Sequence, residues 1–251
     1  MIKCVIYDLD DTLYDFNAVN LPAFDTMCQE ASRRFDIPAK TFGDVFATAY
    51  RAVGDRMPQD ILDLEPEKVD VAAVHSRTLR LSYTLNTLNL PLFPHVLELY
   101  DVYWNYILEH MKQEPHIEEV MQALKAQGIR IGLGTNMTAR MQYRKVYHLG
   151  LGSYLDFVTT SDETIFDKPD PRFFDLVVKK AGCERNECLF IGDNYRYDYG
   201  GAVASGLNGL WYNRLEKPWN HVTEEEKQEA KEKDVVITDH REVLARLKDY
   251  M

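Results

Sequence analysis

From residue 116 onward the chain alternates short apolar runs with segments of helical period. That rhythm restricts the fold to a parallel sheet with helices on both faces. Six runs rich in Val, Ile, Leu and aromatics, bounded by polar or glycine-containing turns, read as buried strands: residues 3–9, 129–135, 156–160, 188–192, 209–212 and 235–237. Between and after them, residues 116–127, 139–149, 171–181, 197–205 and 241–248 read as helices. The expected class is α/β.

Residues 15 to about 115 break the rhythm. They carry no strand pattern, whereas Phe24, Met27, Cys28, Ala31 and Phe35 recur at steps of three and four, as do Val96, Leu99, Tyr100, Tyr103, Ile107 and Met111. Two more helices are expected over 42–56 and 71–88. The chain therefore reads as a discontinuous core, residues 1–15 and 115–251, interrupted by an all-α insert over 16–114. The stretch 221–234, dense in Glu and Lys, reads as a solvated helix.

A net charge of −11, from 29 basic and 40 acidic residues, argues against a nucleic acid polymer as partner. Small anions stay compatible where a metal ion or a lysine supplies positive charge locally. No stretch approaches the ~20 apolar residues of a membrane span, and the first residues enter a strand pattern directly instead of a secretory signal. No membrane partner and a cytoplasmic address are expected. Cys4, Cys28, Cys183 and Cys188 make no CxxC pair and read as reduced structural thiols. Nothing in the sequence marks an oligomeric state.

In an open parallel sheet, functional groups gather beyond the carboxyl ends of the strands. The first strand ends in Asp8-Leu9-Asp10-Asp11-Thr12. Two carboxylates two residues apart can converge on one site, one as nucleophile or metal ligand and the other as acid/base; alone, they equally describe a turn held by Asp side chains. The second strand ends in Thr135-Asn136, a hydroxyl and a backbone N–H suited to a phosphate oxygen, or to capping the next helix. Beyond the third stand Lys168-Pro169-Asp170-Pro171, a point positive charge ahead of a helix start. The fourth ends in Gly192-Asp193-Asn194, with Asp198 five residues after Asp193. Carboxylates there can complete an oxygen site for Mg²⁺ or cap a helix. Each signal has an ordinary structural explanation; their order, one per strand exit, does not.

Asp8-Leu9-Asp10-Asp11-Thr12-Leu13, Thr135-Asn136, Lys168-Pro169-Asp170-Pro171 and Gly192-Asp193 with Asp198 resemble the four motifs of the haloacid dehalogenase (HAD) superfamily. The resemblance covers residues 1–15 and about 115–215, and it implies a Rossmann-like parallel core. The helical insert resembles the C1 cap of subfamily I. The resemblance further implies that Asp8 attacks phosphorus and forms an aspartyl-phosphate. Asp10 would then protonate the leaving oxygen and afterwards deprotonate the attacking water. Mg²⁺ would be bound by Asp8, the backbone carbonyl of Asp10, and Asp193. Thr135, the Asn136 amide and Lys168 would hold the phosphoryl oxygens, and Asp198 would orient Lys168 or a metal-bound water. Asp11 is expected to be structural.

Within that family, members that cleave carbon–halogen bonds resemble this pattern without an acid at the place of Asp10, so Asp10 favours phosphoryl transfer. The expected activity is that of an Mg²⁺-dependent phosphatase of a small phosphorylated metabolite, a nucleoside monophosphate or a sugar phosphate. A phosphomutase using the same two aspartates is the rival reading, and a non-catalytic phosphate-binding protein is the reading from another class. Phosphonate cleavage would need a Schiff-base lysine, for which Lys40 and Lys68 are the candidates. Selectivity is expected from the insert, where the aromatics Phe16, Phe24, Phe42, Phe46, Tyr50, Tyr83, Tyr103 and Trp104 read mainly as its core. Arg51, Arg56, Arg77 and Arg80 are its candidate anion contacts. Trp211-Tyr212-Asn213-Arg214 resembles the tail of a nucleotidase-like branch.

Overall fold

The computed structural model describes residues 1–54, 76–214 and 222–250, and only the backbone of 50–54. The chain divides into two compact units, Met1–Asp15 with Lys112–Met251, and Phe16–Met111.

The first unit is built on six parallel strands: β1 (Cys4–Tyr7), β2 (Arg130–Thr135), β3 (Phe157–Thr160), β4 (Cys188–Gly192), β5 (Asn208–Tyr212) and β6 (Val236–Ile237). Their spatial order is β3-β2-β1-β4-β5-β6. All six expected strands are present: β4 has the expected bounds, β5 is one residue longer, β2, β3 and β6 are one shorter, and β1 is three shorter. Every residue of β1 and β4 is buried, as expected of strands covered on both faces. Tyr7 stands level with Leu133 on one side and Ile191 on the other, so the exits of β1, β2 and β4 open at one edge.

The second unit contains α1 (Phe16–Phe35), α2 (Ala39–Gly54), α3 (Arg77–Thr87) and α4 (His95–His110). Its core takes Met27, Cys28 and Ala31 from α1, Phe42 and Phe46 from α2, and Leu99, Tyr103, Trp104 and Ile107 from α4. Met27, Cys28, Ala31, Leu99, Tyr103 and Ile107 are among the periodic positions read from the sequence, and Phe42, Phe46 and Trp104 among the aromatics expected in this core. Arg77 lies over the rings of Tyr103 and Trp104, 4.4 and 4.6 Å from their centroids, and Arg80 lies 4.3 Å from that of Phe46. Both arginines therefore pack against aromatics of their own unit. Lys40 is exposed and pairs with Asp44 at 2.6 Å, which places it outside the buried setting a Schiff-base lysine needs. Lys68, Arg56, the start of the helix expected over 71–88, and the side chains of Tyr50 and Arg51 lie outside the described residues.

The helices of the first unit follow as α5 (Ile117–Ala126), α6 (Ala139–His148), α7 (Ser161–Thr164), α8 (Pro171–Ala181), α9 (Gly201–Ala204), α10 (Glu224–Glu232) and α11 (Glu242–Arg246). Helix α8 shows how local chemistry sets boundaries. Asp170 caps its first turn through the Arg172 N–H, Pro171 occupies the first position, and Gly182 ends it at φ 66°. Its apolar face meets Cys4, Ile6 and Phe190, while the alternate β1 residue Tyr7 faces His240 across the sheet. The helix expected over 197–205 is instead a π-turn, Tyr195–Gly200, continued by α9. The sequence pattern missed this because Gly200-Gly201 carries no periodic side chain.

Candidate active site

The first loop turns directly after β1. Asp8 N–H still donates to the Ile191 carbonyl at 2.8 Å, and Asp11 takes the left-handed conformation at φ 64°. Thr12 is buried beneath this turn. Its hydroxyl accepts the Asp193 N–H at 3.0 Å and sits 3.4 Å from Asp8 Oδ2. Its carbonyl accepts from His240 Nε2 at 3.0 Å. The loop carrying the nucleophile candidate is thus tied to β4 through Asp8 and to Asp193 and His240 through Thr12.

Lys168 reaches the same place from the loop after β3. Its Nζ donates to Asp8 Oδ1 at 2.6 Å, Asp198 Oδ1 at 2.7 Å and the Gly134 carbonyl at 3.0 Å. The loop itself is clamped by Asn136, whose Oδ1 accepts the Lys168 N–H at 2.9 Å. The Asn136 side chain is therefore a loop clamp. Asp198, in the π-turn, is gripped from the other end by the Asn194 N–H at 2.9 Å. Gly192 is what lets it pack there: a Cβ at that residue would stand 2.3 Å from the Asp198 carboxyl. Trp211 supports the same loop, donating Nε1–H to the Asp193 carbonyl at 2.7 Å.

Asp8, Asp193 and Asp198 present carboxylate oxygens within 4.8 Å of one another. The buried charges do not balance, since Asp8 and Asp198 face one buried Lys168. Burial is the main force that pushes the Asp8 carboxyl up to about 7; Lys168 opposes it, and the Asp198 and Asp10 charges add to it. Lys168 itself is held above its usual range by Asp198 and Asp8, against the cost of burial. Three clustered carboxylates against one ammonium group leave a net-negative pocket whose oxygen donors fit a hard divalent cation such as Mg²⁺.

Asp10 points to different partners. Lys145 Nζ lies 2.7 and 2.9 Å from its two oxygens, Gln142 Nε2 lies 3.0 Å from Oδ2, and the Tyr14 hydroxyl donates to Oδ1. Burial alone would raise its pKa. The Lys145 charge and the three donors overcome burial and hold it below the usual carboxylate range. Thr135 is buried at the β2 exit, its hydroxyl accepting from Gln142 at 2.6 Å. The first N–H of α6, at Ala139, is taken by the Asp162 carboxylate at 2.9 Å, so neither Thr135 nor Asn136 caps that helix.

The structure therefore brings Asp8, Lys168, Asp193 and Asp198 together. It sets the Asp10 side chain, with Thr135 one residue away through Gln142, on the adjoining flank. Sequence reading missed Thr12, Tyr14, Gln142, Lys145 and His240. The one available signal was Gln142 and Lys145, polar at one-turn spacing beside the apolar Met141 and Val146.

The family description matching residues 2–206 is "haloacid dehalogenase-like hydrolase". A ribulose-1,5-bisphosphate 5-phosphatase of Halopiger xanaduensis is 29% identical over 219 residues, covering 86% of this chain and 87% of that protein. A glyceraldehyde 3-phosphate phosphatase of Methanothermobacter thermautotrophicus is 24% identical over 243 residues, 95% of each chain. The crystal structure of a 2-haloacid dehalogenase from Pseudomonas syringae pv. Tomato DC3000 superposes with a TM-score of 0.71 over 100% of both chains at 23% identity, a likeness of fold. The chain belongs to the haloacid dehalogenase-like hydrolases and, with phosphatases as its matched relatives, is an enzyme of the phosphoric monoester hydrolase kind.

Proposed function

We propose that the chain hydrolyses phosphate monoesters of small sugars through an aspartyl-phosphate on Asp8, with Mg²⁺ as cofactor. The observation carrying this reading is the pairing of a buried Asp8 with Lys168 and two further carboxylates, while a second aspartate of the same loop stands apart with its own donors. Asp8 supplies the attacking oxygen: its bond to phosphorus forms as the ester P–O bond breaks. Asp10, having taken up a proton from solvent as substrate binds, gives it to the departing oxygen, releasing the sugar hydroxyl. Asp10 as carboxylate then takes a proton from the water that attacks phosphorus, which restores Asp8 and releases inorganic phosphate. An incoming phosphate dianion raises the proton affinity of Asp10, which otherwise rests ionised beside Lys145.

Lys168 and Thr135 stabilise charge on the transferring oxygens. Asp198 keeps Lys168 in place through the 2.7 Å contact with its Nζ. Mg²⁺ would be held by the Asp8 and Asp193 carboxylates with the Asp10 carbonyl, and its charge offsets repulsion between nucleophile and substrate. Sugar phosphates take precedence over nucleoside monophosphates because the matched relatives are named for a ribulose bisphosphate and a glyceraldehyde phosphate. The helical insert is proposed as the cap that sets selectivity, and exchanging it for a relative's insert should move the substrate profile. The test of the reading is phosphate release from a panel of phosphorylated sugars and nucleotides with Mg²⁺ and with EDTA. Metal-dependent release from sugar phosphates is expected; no release from any monoester would end the proposal, and isomerisation without release would replace it by a mutase.

A further inference from the structure

Two side chains with no part in those steps stand behind Asp10. Gln142 and Lys145 lie one turn apart on α6, and both are fully buried. Burying an ammonium group costs several kcal/mol of hydration unless good geometry repays it, so its position calls for a reason. The Lys145 Nζ sits 2.7 and 2.9 Å from the Asp10 oxygens, the closest bidentate-like contact made by any lysine with the site's carboxylates among the described residues. Gln142 Nε2 is 3.0 Å from Asp10 Oδ2, 2.6 Å from Thr135 Oγ1 and 3.1 Å from the Asn136 carbonyl. One amide group therefore ties the carboxylate of the β1 loop to the end of β2.

An Asp on a loop has two rotatable bonds, and a misplacement of about 1 Å at a reacting group can cost 10²-fold. Donors from two buried residues of one rigid helix leave Asp10 a single orientation, fixed relative to Thr135. The geometry points to Gln142 and Lys145 as positioning residues: acting through Asp10, they fix the line along which the proton reaches the leaving oxygen, and so determine how poor a leaving group the enzyme can expel. The inference rests on the phosphatase reading above and deepens it.

The experiment compares kcat/KM for two monoesters, glyceraldehyde 3-phosphate, whose alkoxide must be protonated as it leaves, and 2,4-dinitrophenyl phosphate, whose phenolate need not be. This quantity reports steps up to transfer of the phosphoryl group to Asp8. Lys145→Met should lose about 10²-fold or more on the alkyl ester, within the roughly 10²–10⁴-fold worth of a general acid, and stay within about threefold on the aryl ester. Gln142→Leu should show the same pattern at about tenfold, and Lys145→Arg should recover most of the alkyl activity. On the alkyl ester, Asp10→Asn with Lys145→Met should fall no lower than Asp10→Asn alone, because both remove one effect. Equal losses on both esters, or losses that multiply in the double variant, would overturn the inference while leaving the phosphatase reading in place. A wild-type enzyme inert on both esters and on the whole panel of phosphorylated sugars and nucleotides would overturn both.

Discussion

His240 couples the stability of the nucleophile loop to pH. It is buried, its ring stacked on Tyr212 at 4.2 Å between centroids and edge-on to Tyr7 at 5.9 Å. Nε2–H donates to the Thr12 carbonyl at 3.0 Å, and Nδ1 is buried without a hydrogen-bond partner among the described residues. Burial pushes its pKa down from 6.5 to about 4, against the smaller raising effects of the Thr12 carbonyl and Asp239. Because the folded pKa lies below the unfolded one, the unfolded chain takes up the proton first as pH falls. Stability is full above about 6.5 and declines by about 1.4 kcal/mol per pH unit from there toward 4. Between pH 7.5 and 5 the loss from this one group is about 2 kcal/mol. NMR of the imidazole Cε1–H should show no titration of His240 above pH 5. Denaturation of wild type and His240→Gln, followed through Trp211, should differ by about 2 kcal/mol less at pH 5 than at 7.5, since the carboxylates common to both cancel. A His240 resonance titrating near 6.5, or a pH-independent difference between the proteins, would refute the reasoning.

Asp8→Asn should abolish turnover by more than about 10⁴-fold while circular dichroism and the unfolding midpoint hold, because it removes a nucleophile and a buried charge together. Gly192→Ala should lower kcat by at least about tenfold, measured on the best sugar phosphate, since its Cβ would displace the Asp198 carboxyl from 2.3 Å and free Lys168. Lys168→Met leaves Asp8 and Asp198 buried without their cation and should cost about 3–5 kcal/mol in chemical denaturation as well as activity. Stripping divalent ions with EDTA should silence phosphate release, and added Mg²⁺ should restore it and raise the unfolding temperature by mass action.

The strands of the core and the motif residues at their exits were legible because they obey local rules. A buried parallel strand is an unbroken apolar run, and an active loop follows it directly, so Asp8, Thr135, Lys168 and Asp193 could be placed from the order of elements. What escaped were residues whose role depends on a neighbour distant in the chain. Lys145 lies 135 positions from Asp10, and His240 lies 228 from Thr12. On a helix, Lys145 looks like one more solvated cation; only the β2–β1 pairing places α6 behind Asp10. The Asn136 backbone N–H reads as a phosphate donor, and what its type does not show is that its side chain clamps the Lys168 loop. The π-turn that carries Asp198 escaped for another reason: its wide first turn is shaped by Asn194, which accepts from the Arg196 and Tyr197 N–H groups, and by Gly200.

The position of β1 at the centre of the sheet has a consequence for how the protein is made. In the growing chain this strand is made well before its partners, which begin at Arg130 and Cys188. At about 5–20 residues per second, the nascent β1 waits on the order of ten seconds for its first neighbour and longer for its second. The helical unit Phe16–Met111, continuous in sequence, emerges whole in the meantime. Until β2 and β4 arrive, Cys-Val-Ile-Tyr is an apolar strand with both edges open, a segment that chaperones or aggregation can reach.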